Sequence, residues 1–516
     1  MEVWFLIIVT LCITALLKAF VSFTFSKSKS KLPPGPRGFG IITRLKWLGI
    51  STTELEAALR KLSVKFGPII NLPFGRKPMI FVCNRSLAHE ALVHNGAVFA
   101  DRPKSLPTAK IMNRNQHNIS SASYGPDWRL FRRNLTAQIL HPSKAKDFSH
   151  ARKWALDILI DRLRVSSGVH HSDAVKVMDH FRFAMFCLLV FMCFGDKMIE
   201  SQIKDIEAIQ VRLLTTFNRF AILNLWPSLT RIFLRGRWNE LLDMKKYQEG
   251  LLIPIIRSRK NLQEEARIPD HQKHKRLVNC YVDSLLTLEI PEGDGKRKLT
   301  EEQLVSFCSE FLNAGTDTTS TALQWIMANL VKYPNIQAKL FEEIRGVVGE
   351  EVEEVGEDEL SIMPYLKGIV LEGLRRHPPA HFVLPHTVTH DTELGGYTVP
   401  KDAVVNFLIS NMNMDPEVWE DPMDFKPERF LSADGVFEEF DITGSREIKM
   451  MPFGAGRRIC PGLSLAMLHL EYYVANLVWN FEWKEVVGNE PDMSEKQEFT
   501  TVMKNPLHAH ISPRQK

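Results

Sequence analysis

Phe453-Gly454-Ala455-Gly456-Arg457-Arg458-Ile459-Cys460-Pro461-Gly462 is the stretch that decides how this chain is read. Three glycines let a backbone approach a flat partner closely and take dihedrals closed to other residues. Apolar periodicity resumes at Leu463 and predicts a helix to about Phe481. Cys460 therefore stands just ahead of a helix N-terminus, where backbone N–H groups favour a thiolate, and Arg458 adds positive charge. A lone cysteine in such a turn is usually a buried structural thiol. Here the glycines, the arginine and the helix start serve one purpose, and they point to a thiolate ligand.

Upstream, Thr300-Glu301-Glu302-Gln303 is a capping box and Pro334 a stop felt at Tyr333. The helix between them spans about 32 residues, roughly 48 Å. Its centre, Ala314-Gly315-Thr316-Asp317-Thr318-Thr319, breaks the rules of a helix interior. An acid in a buried helix is costly without partners, and local rules broken at one spot mark functional sites. The plainer reading is a kink with threonines bonded back to carbonyls. Glu372 and Arg375 share a helix face at i and i+3 before His377-Pro378-Pro379 stops it, and Pro427-Glu428-Arg429-Phe430 offers a second arginine. Taken alone, such a pair is a surface contact of little worth.

The loop fits F-x-x-G-x-R-x-C-x-G through Phe453, Gly456, Arg458, Cys460 and Gly462. Together with 314–319, Glu372-x-x-Arg375 and 427–430, in that order along the chain, it makes the sequence resemble the cytochrome P450 family. Phe99-Ala100-Asp101-Arg102-Pro103 and Phe425-Lys426-Pro427-Glu428-Arg429-Phe430 resemble the plant members. The resemblance implies the cytochrome P450 fold, mainly α with a minor β portion (α+β by strict counting), behind an N-terminal transmembrane helix. It implies haem b, iron protoporphyrin IX, with Cys460 as axial thiolate and Phe453 beside it. Arg102, Trp128 with Arg132 in Trp-x-x-x-Arg, His386 and Arg458 match positions that hold the haem propionates. Asp317 and Thr318 match the catalytic acid and hydroxyl that organise water and protons, and Glu372, Arg375 and Arg429 match a structural network behind the cysteine loop.

The activity so implied is a monooxygenase that uses O2 to oxidise, typically hydroxylate, a small lipophilic metabolite of plant secondary metabolism. The sequence shows no flavin or nicotinamide domain, so electrons from NADPH are expected through a separate flavin-bearing NADPH–cytochrome P450 reductase. The alternatives are a haem-thiolate lyase or isomerase that needs no reductase, and a non-catalytic haem-binding protein. The Asp317–Thr318 pair favours oxygen activation over both. By the same resemblance the substrate meets mostly apolar segments near 106–118, 213–222, 311–316, 380–384 and 499–503, with Asn115, His117, Asn313 and His381 as polar exceptions. An apolar pocket with a few polar groups fits a lipophilic ligand without identifying it; fatty acids, phenolics, terpenoids and tetrapyrrole breakdown products stay open.

The other end of the chain sets the compartment. Val3 to Leu17 carries no charge and apolar character resumes after Lys18 to Phe25, long enough to span a bilayer. A cleaved signal is the rival, but no small-x-small site follows. Lys27, Lys29, Lys31 and Arg37 after the segment place the body in the cytosol, on an endoplasmic reticulum membrane by the family resemblance. The sequons at Asn84, Asn118 and Asn134 would then stay unmodified. Pro33-Pro34-Gly35-Pro36 reads as a stiff connector. The expected organisation is an anchor over 1–26, a basic and proline-rich hinge over 27–50 and a catalytic domain over 51–516. Seven scattered cysteines without a CxxC pair argue for free thiols rather than disulfides or a zinc ribbon. A net charge of +5 is too weak for a nucleic-acid partner.

Overall fold

The computed structural model describes residues 31–36, 51–72, 77–168, 174–266 and 278–515, with Thr10 and Thr14 beside them. Apart from those two threonines, the expected membrane segment lies outside the described residues. Among the described residues no helix is long and apolar enough to cross a membrane.

Helix α1 (Thr52–Phe66) opens with a Ser51–Glu54 capping box. Strands β1 (Ile69–Leu72) and β2 (Met79–Val82) pair antiparallel, as their apolar runs between turn residues predict. The proline segment docks on this pair: Asn71 N–H donates to Pro34 O at 2.9 Å. A Cβ at Gly35 would fall 1.9 Å from Asn71 O, so only glycine allows the approach. The helical body follows with α2 (Pro126–Leu135), α3 (Ser149–Gly168), α4 (Met178–Phe194), α5 (Glu200–Thr215), α6 (Arg235–Ala266) and α7 (Glu301–Lys332). Next come α8 (Pro364–Arg376), β3 (His386–Thr387), β4 (Val404–Phe407) and α9 (Leu463–Asn480). The sheet runs β1-β2-β4-β3, with β2 and β4 parallel. The architecture is mainly helical with minor sheets.

Helix α7 has the bounds its caps dictate. Thr300 and Gln303 form the capping box, and Tyr333 closes the helix before Pro334. Helix α4 is apolar on all sides, the mark of a core helix rather than an amphipathic one, and it lies against both α3 and α7. The approach to α7 explains Gly315: a Cβ there would meet Leu189 Cδ1 at 2.6 Å. That glycine makes room for a neighbouring helix, not for a ligand.

Three segments take a form that their sequence pattern alone does not give. Val404–Ile409 is a strand only to Phe407, because Ile409–Asn413 turns into a short helix. The charged run 292–298 belongs to a hairpin, Glu289–Glu292 against Gly295–Lys298, turned by Gly293 at φ +56°. The acidic stretch 350–359 is tied down rather than merely solvated: Glu357 receives two hydrogen bonds from Arg152 at 2.6 and 2.8 Å, and Val355 is buried. The described cysteines are all free, and all but Cys460 are buried.

Candidate active site

The cysteine loop is held by its own backbone. Cys460 N–H donates to Phe453 O at 2.9 Å, and Ile459 N–H to Gly456 O at 3.1 Å. Gly454 and Gly456 take φ of +70° and +68°, and a Cβ at Gly456 would collide with Leu92 O at 1.8 Å. Helix α9 starts three residues after Cys460. Burial raises the Cys460 thiol, while the Gly462 N–H and the charge of Arg132 act against it. Cys460 nonetheless keeps accessible surface, and Ala314 is exposed in the middle of α7, a helix packed among others. Each therefore borders internal space, and we take that space as one chamber.

A cluster of cations lies beside it. Arg458 donates to Ala100 O at 2.7 Å, Ile119 O at 3.1 Å and Ala122 O at 2.6 Å, and stacks over the Trp128 ring at 4.4 Å. Arg102 donates to Ser120 O at 2.9 Å, Leu384 O at 2.8 Å and Pro385 O at 3.0 Å. Trp128 Nε1–H reaches Ile119 O at 3.2 Å. Arg132, one turn after Trp128 on α2, makes no side-chain hydrogen bond among the described residues. Burial, with repulsion from Arg458, pulls Arg102 down to about 9. Burial, with repulsion from Arg132, pulls Arg458 down to about 10. None of the three arginines has an ion-pair partner within 4.0 Å among the described residues, and Asp101 Oδ1 is occupied by the N–H groups of Arg102 and Tyr124. Arg102 is buried, Arg132 and Arg458 are half-buried, and Asp101 and Glu310 offset their charge only in part, so the cluster is costly unless a further anion arrives. The donor set fits the two carboxylates of a haem.

His386 is placed with this cluster but differs in chemistry. Its Nδ1 lies 2.6 Å from Phe99 O, so Nδ1 carries the proton. Burial and the Arg102 charge hold it at about 3, which leaves Nε2 as an acceptor in the neutral ring.

Helix α7 supplies the opposite set of groups. Thr318 Oγ1 donates to Ala314 O at 2.7 Å, one turn back on the face that borders the chamber, so the plain back-bonding also occurs. Asp317 is buried, which raises its carboxyl, and it pairs with Arg182 of α4 at 3.2 Å. Glu310, one turn before Ala314, accepts the Ile119 N–H at 2.8 Å and the Ser120 N–H at 2.6 Å. The peptides of 119–120 thus lie between Glu310 and the arginine cluster. Glu310 and Arg182 were not singled out from sequence; an acid four residues ahead of Ala314 was the available signal for the first, and none marked the second. Exposed Leu384 carries a carbonyl bonded by Arg102, and exposed Phe499 stands next to Thr500, whose hydroxyl meets Thr321 of α7 at 2.9 Å.

Behind the cysteine loop, Glu372 and Arg375 are fully buried and joined by two hydrogen bonds of 2.7 and 2.8 Å. Arg429 Nε adds 3.2 Å to the same carboxylate. Arg375 also donates to Asn413 O at 3.1 Å, and Asn413 Oδ1 accepts the Met451 N–H at 2.9 Å, two residues before Phe453. The ion pair is therefore connected to the segment that feeds the loop.

Comparison with known proteins agrees with this geometry. The cytochrome P450 family pattern matches residues 33–512. The chain is similar to Cytochrome P450 89A9 of Arabidopsis thaliana, at 50% identity over 99% of each chain. It is similar to Flavonoid 3'-monooxygenase of the same plant, at 30% identity over 94% of this chain and 92% of the relative. Its fold is similar to that of a zebra fish cytochrome P450 solved with progesterone: TM-score 0.74, 23% identity, covering 89% of this chain and 99% of the other. The chain belongs to the cytochrome P450 family, a family built on a haem–thiolate cofactor, and is a cytochrome P450 monooxygenase.

Proposed function

We propose that this enzyme uses O2 to oxidise, typically hydroxylate, a small lipophilic metabolite, with NADPH electrons delivered by a separate flavoprotein reductase. The observation that carries the reading is the chamber itself. A thiol at a helix start keeps accessible surface, Ala314 beside the Thr318 hydroxyl is open in mid-helix, and Arg102, Arg132 and Arg458 stand without ion-pair partners among the described residues. Haem b, held through Cys460 as thiolate, supplies the iron chemistry that activates O2. Arg102, Arg132, Arg458 and the Trp128 N–H hold its propionates, and Phe453 packs beside the thiolate. His386 joins them once the propionate charge brings its Nε2 a proton. Thr318 Oγ1 holds a water in line for proton transfer, and Asp317 resupplies it. Glu372, Arg375 and Arg429 keep the cysteine loop in place. Residues 1–26 anchor the chain in the endoplasmic reticulum membrane, 27–50 form the hinge, and 51–516 form the cytosolic catalytic domain. A flavonoid monooxygenase among the relatives suits an aromatic, lipophilic substrate class. The Asp317–Thr318 pair favours this reading over a reductase-free lyase.

The test is the absorption spectrum of the reduced carbon monoxide complex, joined to turnover with reductase and NADPH. Wild type is expected to give the strongly red-shifted band of a thiolate ligand, and Cys460→His to lose it while retaining haem. A wild-type spectrum like that of a histidine-ligated globin, or turnover without reductase and O2, overturns the reading.

A further inference from the structure

A second polar system lies across α5, α6 and α7, away from the cysteine and the arginines. Lys245 of α6 is buried, and its ammonium donates to Gln248 Oε1 at 2.7 Å. Gln248 Nε2 donates to Gln210 Oε1 of α5 at 3.1 Å and to Ser309 Oγ of α7 at 2.8 Å. Gln210 Oε1 also receives Ser309 Oγ–H at 2.7 Å and Asn313 Nδ2–H at 3.1 Å.

Amide orientations are normally ambiguous, because oxygen and nitrogen look alike and either could face a neighbour. Here one end of the chain is not ambiguous. An ammonium only donates, so Gln248 must turn its oxygen to Lys245 and its nitrogen to Gln210. Gln210 must then answer with oxygen, since nitrogen would set two donors face to face at 3.1 Å. Its own Nε2 is left buried without a partner among the described residues, the cost of that orientation. Asn313 must in turn give Nδ2 to Gln210, which sends Oδ1 the other way. That oxygen accepts no hydrogen bond among the described residues, and Asn313 is only half-buried, next to exposed Ala314. Burial lowers Lys245 to about 8, which leaves it protonated at neutral pH. The bonds from Gln248, Ser309 and Asn313 converge on Gln210 Oε1, so the network fixes the orientation of Asn313 rather than relaying polarisation, and leaves Oδ1 as an open acceptor.

We propose that Asn313 Oδ1 is a substrate-recognition acceptor, oriented by buried Lys245 through Gln248 and Gln210, which selects apolar substrates bearing an N–H or O–H donor. The inference rests on the chamber being the substrate site, as proposed above. An ether or ester oxygen at the same place would meet oxygen with no proton between them and lose the bond. Lys245 and Gln248 act as positioning residues, since neither reaches the chamber.

The experiment uses the purified full-length holoenzyme and matched probes, 2-naphthol against 2-methoxynaphthalene and indole against N-methylindole. Kd is read from the absorption change that follows displacement of water from the ferric iron. One neutral hydrogen bond of about 1–1.5 kcal/mol corresponds to roughly tenfold. Wild type is expected to favour each donor probe about tenfold over its methylated partner. Asn313→Leu should erase the preference, and Lys245→Met should reduce it without altering the chamber wall. Equal affinities in wild type, no binding of either probe, or a full preference kept by Asn313→Leu overturns the proposal. The carbon monoxide spectrum, recorded on the same samples, separates the two failures: a thiolate band without donor preference removes only this inference, and absence of the band removes the functional reading beneath it.

Discussion

Asp317 of α7 pairs with Arg182 of α4 at 3.2 Å, with the guanidinium Nε–H not aligned for a hydrogen bond. Burial raises the Asp317 carboxyl and Arg182 lowers it, so its proton affinity is a balance between two helices. Glu207 of α5, itself raised by burial, belongs to the same group. An acid held this way takes up a proton more readily than a free carboxyl, which suits resupply of a hydroxyl one residue away.

That arrangement predicts a division of labour. Thr318→Ala should leave haem content and substrate binding close to wild type, while NADPH consumed through the reductase yields more hydrogen peroxide and less product. Asp317→Asn should slow turnover more than it weakens binding. Arg182→Leu should shift the pH profile of turnover to higher pH, because the carboxyl loses the charge that lowers it. The measurement is the ratio of product to NADPH oxidised across pH, with peroxide counted alongside. An unchanged ratio in Thr318→Ala would remove the hydroxyl from proton delivery.

Glu372 and Arg375 have no exposure, and Arg429 shares the carboxylate. Breaking a buried pair by removing one partner costs about 3–5 kcal/mol, since the other charge is left unpaired. Glu372→Ala should therefore give little folded haem protein, with the segment through Met451 released first. Haem content per mole of protein and the yield of soluble enzyme check this. Wild-type values for both would show the pair to be dispensable.

A third network predicts a stability optimum. His381 lies between Glu56, which it contacts through Nδ1, and Glu495, 3.3 Å from Nε2, while Glu495 also reaches His377 at 3.3 Å. Arg60 and Ser410 complete the shell around Glu56. Burial opposes the His381 charge, but the two carboxylates outweigh it and raise the group from 6.5 to about 9. Burial lowers His377 to about 4, and the two histidines hold Glu495 well below its ordinary 4.5 against burial. The His381 contribution is complete below pH 6.5 and is lost as pH rises through about 9. The Glu495 contribution is complete above pH 4.5 and is lost on acidification, and the His377 contribution is lost as pH falls from 6.5 toward about 4. Thermal stability should therefore peak near pH 6.5, declining steadily toward about 9 on the alkaline side and toward about 4 on the acid side. His381→Gln should flatten the alkaline fall in Tm; an identical fall in that variant would assign it to other groups.

Much of this protein is written in local signals. The Thr300 box and Pro334 bound α7 because capping and proline geometry depend on neighbours in sequence. The glycine–arginine–cysteine loop, the Trp128–Arg132 turn and the short strands at 69–72 and 79–82 were legible for the same reason: each is a property of fewer than ten or so consecutive residues. The hairpin at 289–298 is less legible, because its charge patterning resembles a solvated loop while Gly293 alone carries the turn.

What tertiary structure decided is which helix meets which. Gly315 looked functional until Leu189 was found against it, and Asp317 looked orphaned until Arg182 arrived from a helix more than a hundred residues earlier. The meaning of Glu372–Arg375 turned on burial, which no i, i+3 spacing contains. The orientation of Asn313 was beyond any sequence reading, because it is inherited through two glutamines from a lysine on another helix. Capping and turn formation act over a few residues, but desolvation and the direction of a hydrogen bond depend on every group that packing brings within about 3 Å.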